Sequence, residues 1–97
     1  MQRWSPEIIR YLYTAADHSR YYQDLARQLG AFLRPEDRVC DAGCGLGLLS
    51  RALLPYCAHV TAVDRSPAAV AALRARGEDP KLSALTGYIR ELTPRQP

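Results

Sequence analysis

The apolar positions of this chain follow two different periods, and the change from one to the other marks out its elements. Ile9, Leu12, Tyr13 and Ala16 recur at i, i+3, i+4 and i+7, the face of a helix, with Ser5 ahead as N-cap and Pro6 as first-turn proline. A second helical stripe follows in Tyr22, Leu25, Ala26, Leu29 and Leu33, with Ser19 placed to cap it. Gly30 weakens the last turn of that helix, which is expected to stop there. Val39 and Cys40 then suit a buried strand, closed by Asp41. Leu49, Ala52, Leu53 and Tyr56 give the next helix a sheet-facing side, and His59-Val60-Thr61-Ala62-Val63-Asp64 reads as a second strand. Ser66-Pro67 repeats the cap and proline start, Val70 and Leu73 face inward, and Gly77 is a natural C′ stop. A third strand is expected after the Gly77-Glu78-Asp79-Pro80 loop, within 82–89, before the tail Pro94-Arg95-Gln96-Pro97. Strand, helix and strand within about 30 residues form a right-handed βαβ unit. There is no internal repeat or low-complexity tract.

The first strand runs into Asp41-Ala42-Gly43-Cys44-Gly45-Leu46-Gly47 and restarts as a helix. Alternating glycines let a backbone take positive φ and approach a ligand closely. The helix behind directs unpaired N–H groups and a positive dipole end at the turn. Asp64 closes the next strand about 20 residues after the first glycine, the offset at which an acid reaches a ribose in βαβ nucleotide sites. A carboxylate only accepts, so it can take both ribose hydroxyls at once. By itself such an acid is equally a solvated turn residue; the glycine loop ahead of it favours the binding role. A dinucleotide fingerprint wants a small residue at position 48, which is Leu48, and no Gly-Lys-Ser/Thr of a P-loop follows.

The segment Pro35-Glu36-Asp37-Arg38-Val39-Cys40-Asp41-Ala42-Gly43-Cys44-Gly45-Leu46-Gly47 resembles the first motif of class I S-adenosylmethionine (SAM) dependent methyltransferases. Val60-Thr61-Ala62-Val63-Asp64-Arg65-Ser66-Pro67 resembles the segment that follows it, and 82–89 is a weaker third match, so the resemblance runs from about Phe32 to Leu92. It implies that Asp41, Gly43, Gly45 and Gly47, with Cys44 between them, line the methionine and ribose end of SAM. Asp64 would hold the ribose hydroxyls, and Arg65 or Ser66 would flank the adenine. Where the family usually carries an acid for the adenine amino group this chain has Tyr88, which can stack or hydrogen-bond but supplies no carboxylate. In such enzymes an N-terminal helix often closes over the cofactor. Tyr13 and Tyr22 fall on the helical stripes and read as core, whereas Tyr11 and Tyr21 lie off them and are the candidates for the lid, with Tyr21 taken as a cofactor contact. His18 reads as a loop residue.

The fold expected is therefore α/β: a partial Rossmann-like, doubly wound parallel sheet of about three strands preceded by two helices. Residues 1–33 form the helical segment and possible lid, and 34–97 the βαβαβ SAM-binding half-domain, in one compact unit. In the order 3-2-1-4-5-6 the first strand is left on an open edge. Family members usually carry acceptor pocket and catalytic groups on later segments. The 97 residues are accordingly read as the cofactor-binding part of a methyltransferase, a truncated chain that binds SAM, or its product S-adenosylhomocysteine, without turnover and without catalytic residues of its own. Two alternatives stay open: an NAD-binding oxidoreductase fragment, and a non-catalytic module that dimerises through the open strand edge.

Composition narrows the setting. Hydrophobic residues make up 47% of the chain, and no apolar run nears the roughly 20 residues of a membrane span. No signal-peptide pattern opens it, and three cysteines do not suggest a secreted disulfide framework, so a cytoplasmic location is expected. Cys40-x-x-x-Cys44 is not zinc spacing, and no metal is expected. Cys40 reads as a buried strand residue. Cys44 reads first as a small residue tolerated beside the cofactor, the alternative being a thiol whose pKa the helix N-terminus lowers. The net charge is +3, and the basic residues are nearly all scattered arginines rather than a patch interleaved with aromatics, which leaves a nucleic-acid substrate unsupported. Arg20 and Asp24, at i and i+4, are placed for a helical ion pair worth about 0.3 kcal/mol.

Overall fold

A computed structural model of the chain describes residues 4–88; Ile89, Leu92 and the tail Pro94-Arg95-Gln96-Pro97 lie outside the described residues. The elements run α1 (Pro6–Asp17), α2 (Tyr21–Gly30), β1 (Arg38–Ala42), α3 (Leu48–Leu53), β2 (His59–Asp64), α4 (Pro67–Ala75) and β3 (Leu82–Thr86). This is the partial Rossmann-like α/β fold that the pattern predicts.

Local chemistry sets the element ends. Ser5 caps α1 by accepting from the Ile8 amide at 3.2 Å, and Ser66 caps α4 by accepting from the Ala69 amide at 3.3 Å, each with a proline next. In α2 the helix begins one residue later than expected: Arg20 occupies the N-cap, and the Ser19 hydroxyl accepts instead from the Tyr21 amide at 3.1 Å. The helix stops at Gly30, where a Cβ would sit 2.6 Å from the Tyr56 ring. Pro55 has no N–H to give the Arg51 carbonyl, and the chain leaves α3 as a 3-10 turn over Leu54–Tyr56. His18, at the C-cap of α1, places its Nδ1 2.9 Å from the Thr14 carbonyl.

The three strands are parallel in the order β1-β2-β3. Register pairs Val39 with Val60, Asp41 with Ala62, Val60 with Leu82 and Ala62 with Ala84, so these side chains share one face. That face carries the core. Ala26, Leu53, Cys57 and Val60 form one buried cluster with Leu33, Val39, Leu49, Ala52, Tyr56 and Leu82 against it. Tyr13, Leu46 and Ala69 form another, which joins α1 to the glycine turn and α4. Val70 and Leu73 are buried, as their spacing predicts.

Two expectations are corrected. Cys40 is exposed rather than buried, because it points to the other face of the sheet, from a strand that lies at the sheet's edge among the described residues. Asp24 pairs not with Arg20 but with Arg27, one turn further on, at 3.5 Å. Both side chains of that pair stay well exposed, so it adds little to stability.

Leu73 is 0% exposed and also packs under the glycine turn. Leu73→Ala is expected to cost about 2–5 kcal/mol, read as a lower urea midpoint without a change of slope.

Candidate functional site

Parallel pairing places the ends of β1 and β2 side by side, Asp41 opposite Ala62 and Ala42 opposite Val63, with Asp64 one residue beyond. Two carboxylates therefore sit at the carboxyl edge of neighbouring strands, the place where open α/β sheets bind ligands. The turn that follows β1 is tied to β2 at once. The Gly43 and Cys44 amides both donate to the Val63 carbonyl, at 2.7 and 2.9 Å. Gly43, Gly45 and Gly47 all take positive φ, +73°, +54° and +75°. Gly47 is closed to any other residue twice over: it caps α3 in the left-handed region, and a Cβ there would lie 2.3 Å from Leu73 Cδ1. At Gly43 a Cβ would meet nothing within 4 Å, so this part of the turn faces open space.

Asp64 joins three elements. Its Oδ2 accepts from the Gly45 amide at 2.8 Å, and its Oδ1 accepts from the Ser66 amide at 2.9 Å, next to the α4 cap. Asp41 accepts from the Ser50 hydroxyl at 2.6 Å. Ser50 is fully buried, so this bond satisfies a hydroxyl that water cannot reach.

Around these groups lies a cleft of about 600 Å³ lined by Trp4, Gly43, Gly45, Asp64, Arg65, Ser66, Ala68 and Tyr88. A smaller hollow of about 290 Å³ continues it past Trp4, Gly43 and Gly45 towards Asp41, Cys44, Leu12 and Tyr22. Asp41, Gly43, Cys44, Gly45, Asp64, Arg65, Ser66 and Tyr88 are thus brought to one connected space. Gly47 supports it from beneath. Tyr21 is not there: it is exposed and packs edge-on against Tyr22 at 5.0 Å between centroids, because one helical step turns it away from its neighbour. Tyr11 is 71% exposed and lines neither hollow. The aromatics of the front segment that do line the cleft are Trp4 and Tyr22, and Trp4 approaches to 3.5 Å of where a Gly45 Cβ would stand. Periodicity assigns Tyr22 to the core and says nothing of Trp4, which precedes the first helix. Ser50 was also hidden, although its place in the first turn after Gly47 aims it back at the strand end.

The Cys44 thiol does not follow the lowered-pKa alternative. Burial, followed by the nearby Asp41 and Asp64 carboxylates, pushes its pKa up to about 12. α3 is only six residues long, too short for its dipole to outweigh two acids.

A separate hollow of about 510 Å³ lies between the end of α4 and β3 and holds none of these residues. There Arg51 donates to the Leu73 and Gly77 carbonyls at 2.7 and 2.5 Å and closes the carboxyl end of α4.

Comparison with known proteins agrees with this geometry. Residues 39–96 match the family model described as methyltransferase domain, and the chain belongs to that family, as a class I methyltransferase fold. Over 40 residues it is 52% identical to a ubiquinone biosynthesis O-methyltransferase of Xylella fastidiosa, a stretch that spans 41% of this chain and 16% of that protein. It is similar to an amino pentose methyltransferase of Micromonospora echinaspora solved with SAM bound, with a TM-score of 0.66 at 22% identity over 93% of this chain and 38% of the other. A putative RNA methyltransferase of Pyrococcus horikoshii gives 0.61 at 27% identity, over 84% of this chain and 41% of that one. The chain thus spans well under half the length of these relatives. No helix among the described residues is long and apolar enough to cross a membrane.

Two outcomes are expected at the cleft. Iodoacetamide at pH 8 labels exposed Cys40 first and leaves Cys44 largely thiol, as peptide mass spectrometry will show. Because Cys44 keeps its proton in the folded chain while the unfolded thiol loses it near the ordinary value of 9.0, stability falls as pH rises from about 9 towards 12.

Proposed function

We propose that this chain is the SAM-binding part of a class I methyltransferase and that by itself it binds cofactor without turnover. The observation that carries the proposal is Asp64, held at the strand edge by the Gly45 and Ser66 amides beside a glycine turn that faces open space. Each carboxylate oxygen accepts more than one hydrogen bond, so Asp64 keeps capacity for two ribose hydroxyls after its two backbone bonds. The cradle fits the cofactor in kind. At Gly43 the backbone lies open to a ligand, and the two hollows together divide into an acidic nucleoside end and a second end with Asp41, Trp4 and Tyr22. In this reading Asp41, Cys44 and the glycines border the methionine and ribose, Arg65 and Ser66 flank the adenine, and Tyr88 stacks on it. Residues 1–33 serve as the cover, through Trp4 and Tyr22 rather than Tyr11 or Tyr21.

Bound SAM supplies a methyl group already activated by its sulfonium. The residues here bind and orient it and exclude water from one side, and alignment with a nucleophile falls to groups beyond the cleft. A second reading has an observation of its own, the place of β1 at the sheet's edge among the described residues, which supports self-association and is compatible with cofactor binding.

Calorimetric titration with S-adenosylhomocysteine, beside NAD and an Asp64→Ala control, tests the proposal. Saturable binding that the substitution weakens at least tenfold, with none for NAD, is the expected result. Binding of NAD instead, or of neither ligand, refutes it. Light scattering across a concentration series decides the self-association reading separately.

A further inference from the structure

We propose that Tyr13 is a positioning residue for the glycine turn, holding Leu46 in the shape the cleft requires before any ligand enters. The inference deepens the cofactor reading and rests on it. Tyr13 lines neither hollow of the cleft. It sits in α1, 33 residues from Leu46, and its phenol donates to the Leu46 carbonyl at 3.0 Å. Both residues are buried, at 8% and 4% exposure. The first rung of α3 runs from the Arg51 amide to the Gly47 carbonyl, so the Leu46 carbonyl stands one residue outside the helical ladder. Buried there without a donor it would carry a desolvation penalty, and the turn would be free to reorient.

Tyr13 is itself seated firmly. The Arg76 guanidinium lies 4.1 Å from its ring centroid, and Asp17, at the end of α1, holds Arg76 at 3.0 Å. Arg76 is the C-cap of α4, the helix whose start is fixed by Ser66 beside Asp64. Helix α1 is thereby clamped to α4, with the glycine turn between them. Burial raises the Tyr13 pKa against the lowering pull of Arg76 and Arg51, so the hydroxyl remains a donor through neutral and mildly alkaline pH.

The physical need is plain. Three glycines give this turn more backbone freedom than any other residues would, and a ligand that had to order it would lose affinity to that cost. A hydroxyl anchored in α1 removes the freedom in advance. The tyrosine thus sets affinity for a ligand it never touches.

Tyr13→Phe deletes the hydroxyl and keeps the ring, its burial and the Arg76 contact. In the ligand-free chain, amide exchange followed by NMR is expected to quicken about tenfold at Gly45 and Gly47, with Val60 and Ala62 unchanged. The dissociation constant for S-adenosylhomocysteine is expected to rise about two- to tenfold. Asp17→Asn, at the solvent end of the clamp, should move both in the same direction by less. Unchanged exchange at Gly45 and Gly47 overturns the inference, and so does an equal acceleration through β2, which is general destabilisation. If the parent chain binds no S-adenosylhomocysteine, the cofactor reading fails, and the exchange data still decide whether Tyr13 positions the turn.

Discussion

The parallel register of β1 on β2 is the constraint from which the cleft follows. It sets Ala42 against Val63, so that the turn leaving β1 passes over the end of β2 and finds the Val63 carbonyl with two of its amides. Asp64 then stands where the Gly45 amide must point. A slip of one residue would exchange the faces of the whole strand, sending Asp41 and Val39 outward and Cys40 into the helices. Burial of Val39 and Val60 against Ala26, Leu53 and Cys57 prevents that slip. The acidic edge is thus held by apolar packing on the strands below it.

Much of this was legible because the signals are local. Ser5-Pro6 and Ser66-Pro67 start helices for reasons contained in four residues, and Gly43, Gly45 and Gly47 announce positive φ by being glycine. Asp64 could be read from its distance to the glycines, since a βαβ unit converts that distance into proximity. What was missed depends on neighbours far along the chain. Cys40 looked like core because strand composition does not reveal which face will be covered. For the Cys44 thiol the sequence shows only the helix behind it, while the stronger influences are burial and two acids brought in by the fold. Tyr21 and Tyr22 differ by one helical step, and only the packing of α2 tells which of them faces the cleft.

The carboxyl end of α4 shows how arginine suits this small fold. Arg51, from α3, reaches across to the Leu73 and Gly77 carbonyls, and Arg76 turns back onto Tyr13 and Asp17. Both place positive charge at the negative end of a helix dipole while bonding specific partners. The arrangement is not complete, since Arg51 Nε is buried without a hydrogen-bond partner. That atom is the cost of using one planar group to hold two carbonyls at once.

The sheet face that carries Cys40 also bears Thr61, Ser83 and Leu85 in register, with the His59 Nε2 and Ser83 Oγ atoms 2.9 Å apart. Strands enclosed on both sides by helices read as nearly unbroken runs of valine, isoleucine and leucine. Here the composition alternates: short of the strand ends, where Asp41 and Asp64 stand, the side towards α3 and α4 is apolar, and Cys40, Thr61, Ser83 and His59 fall on the side away from them. Any layer laid over that side would have to answer the Thr61 hydroxyl and accommodate the His59–Ser83 pair, or bear the penalty of burying them unanswered. Side-chain chemistry on one face of three short strands therefore restricts which surfaces can ever become their neighbour.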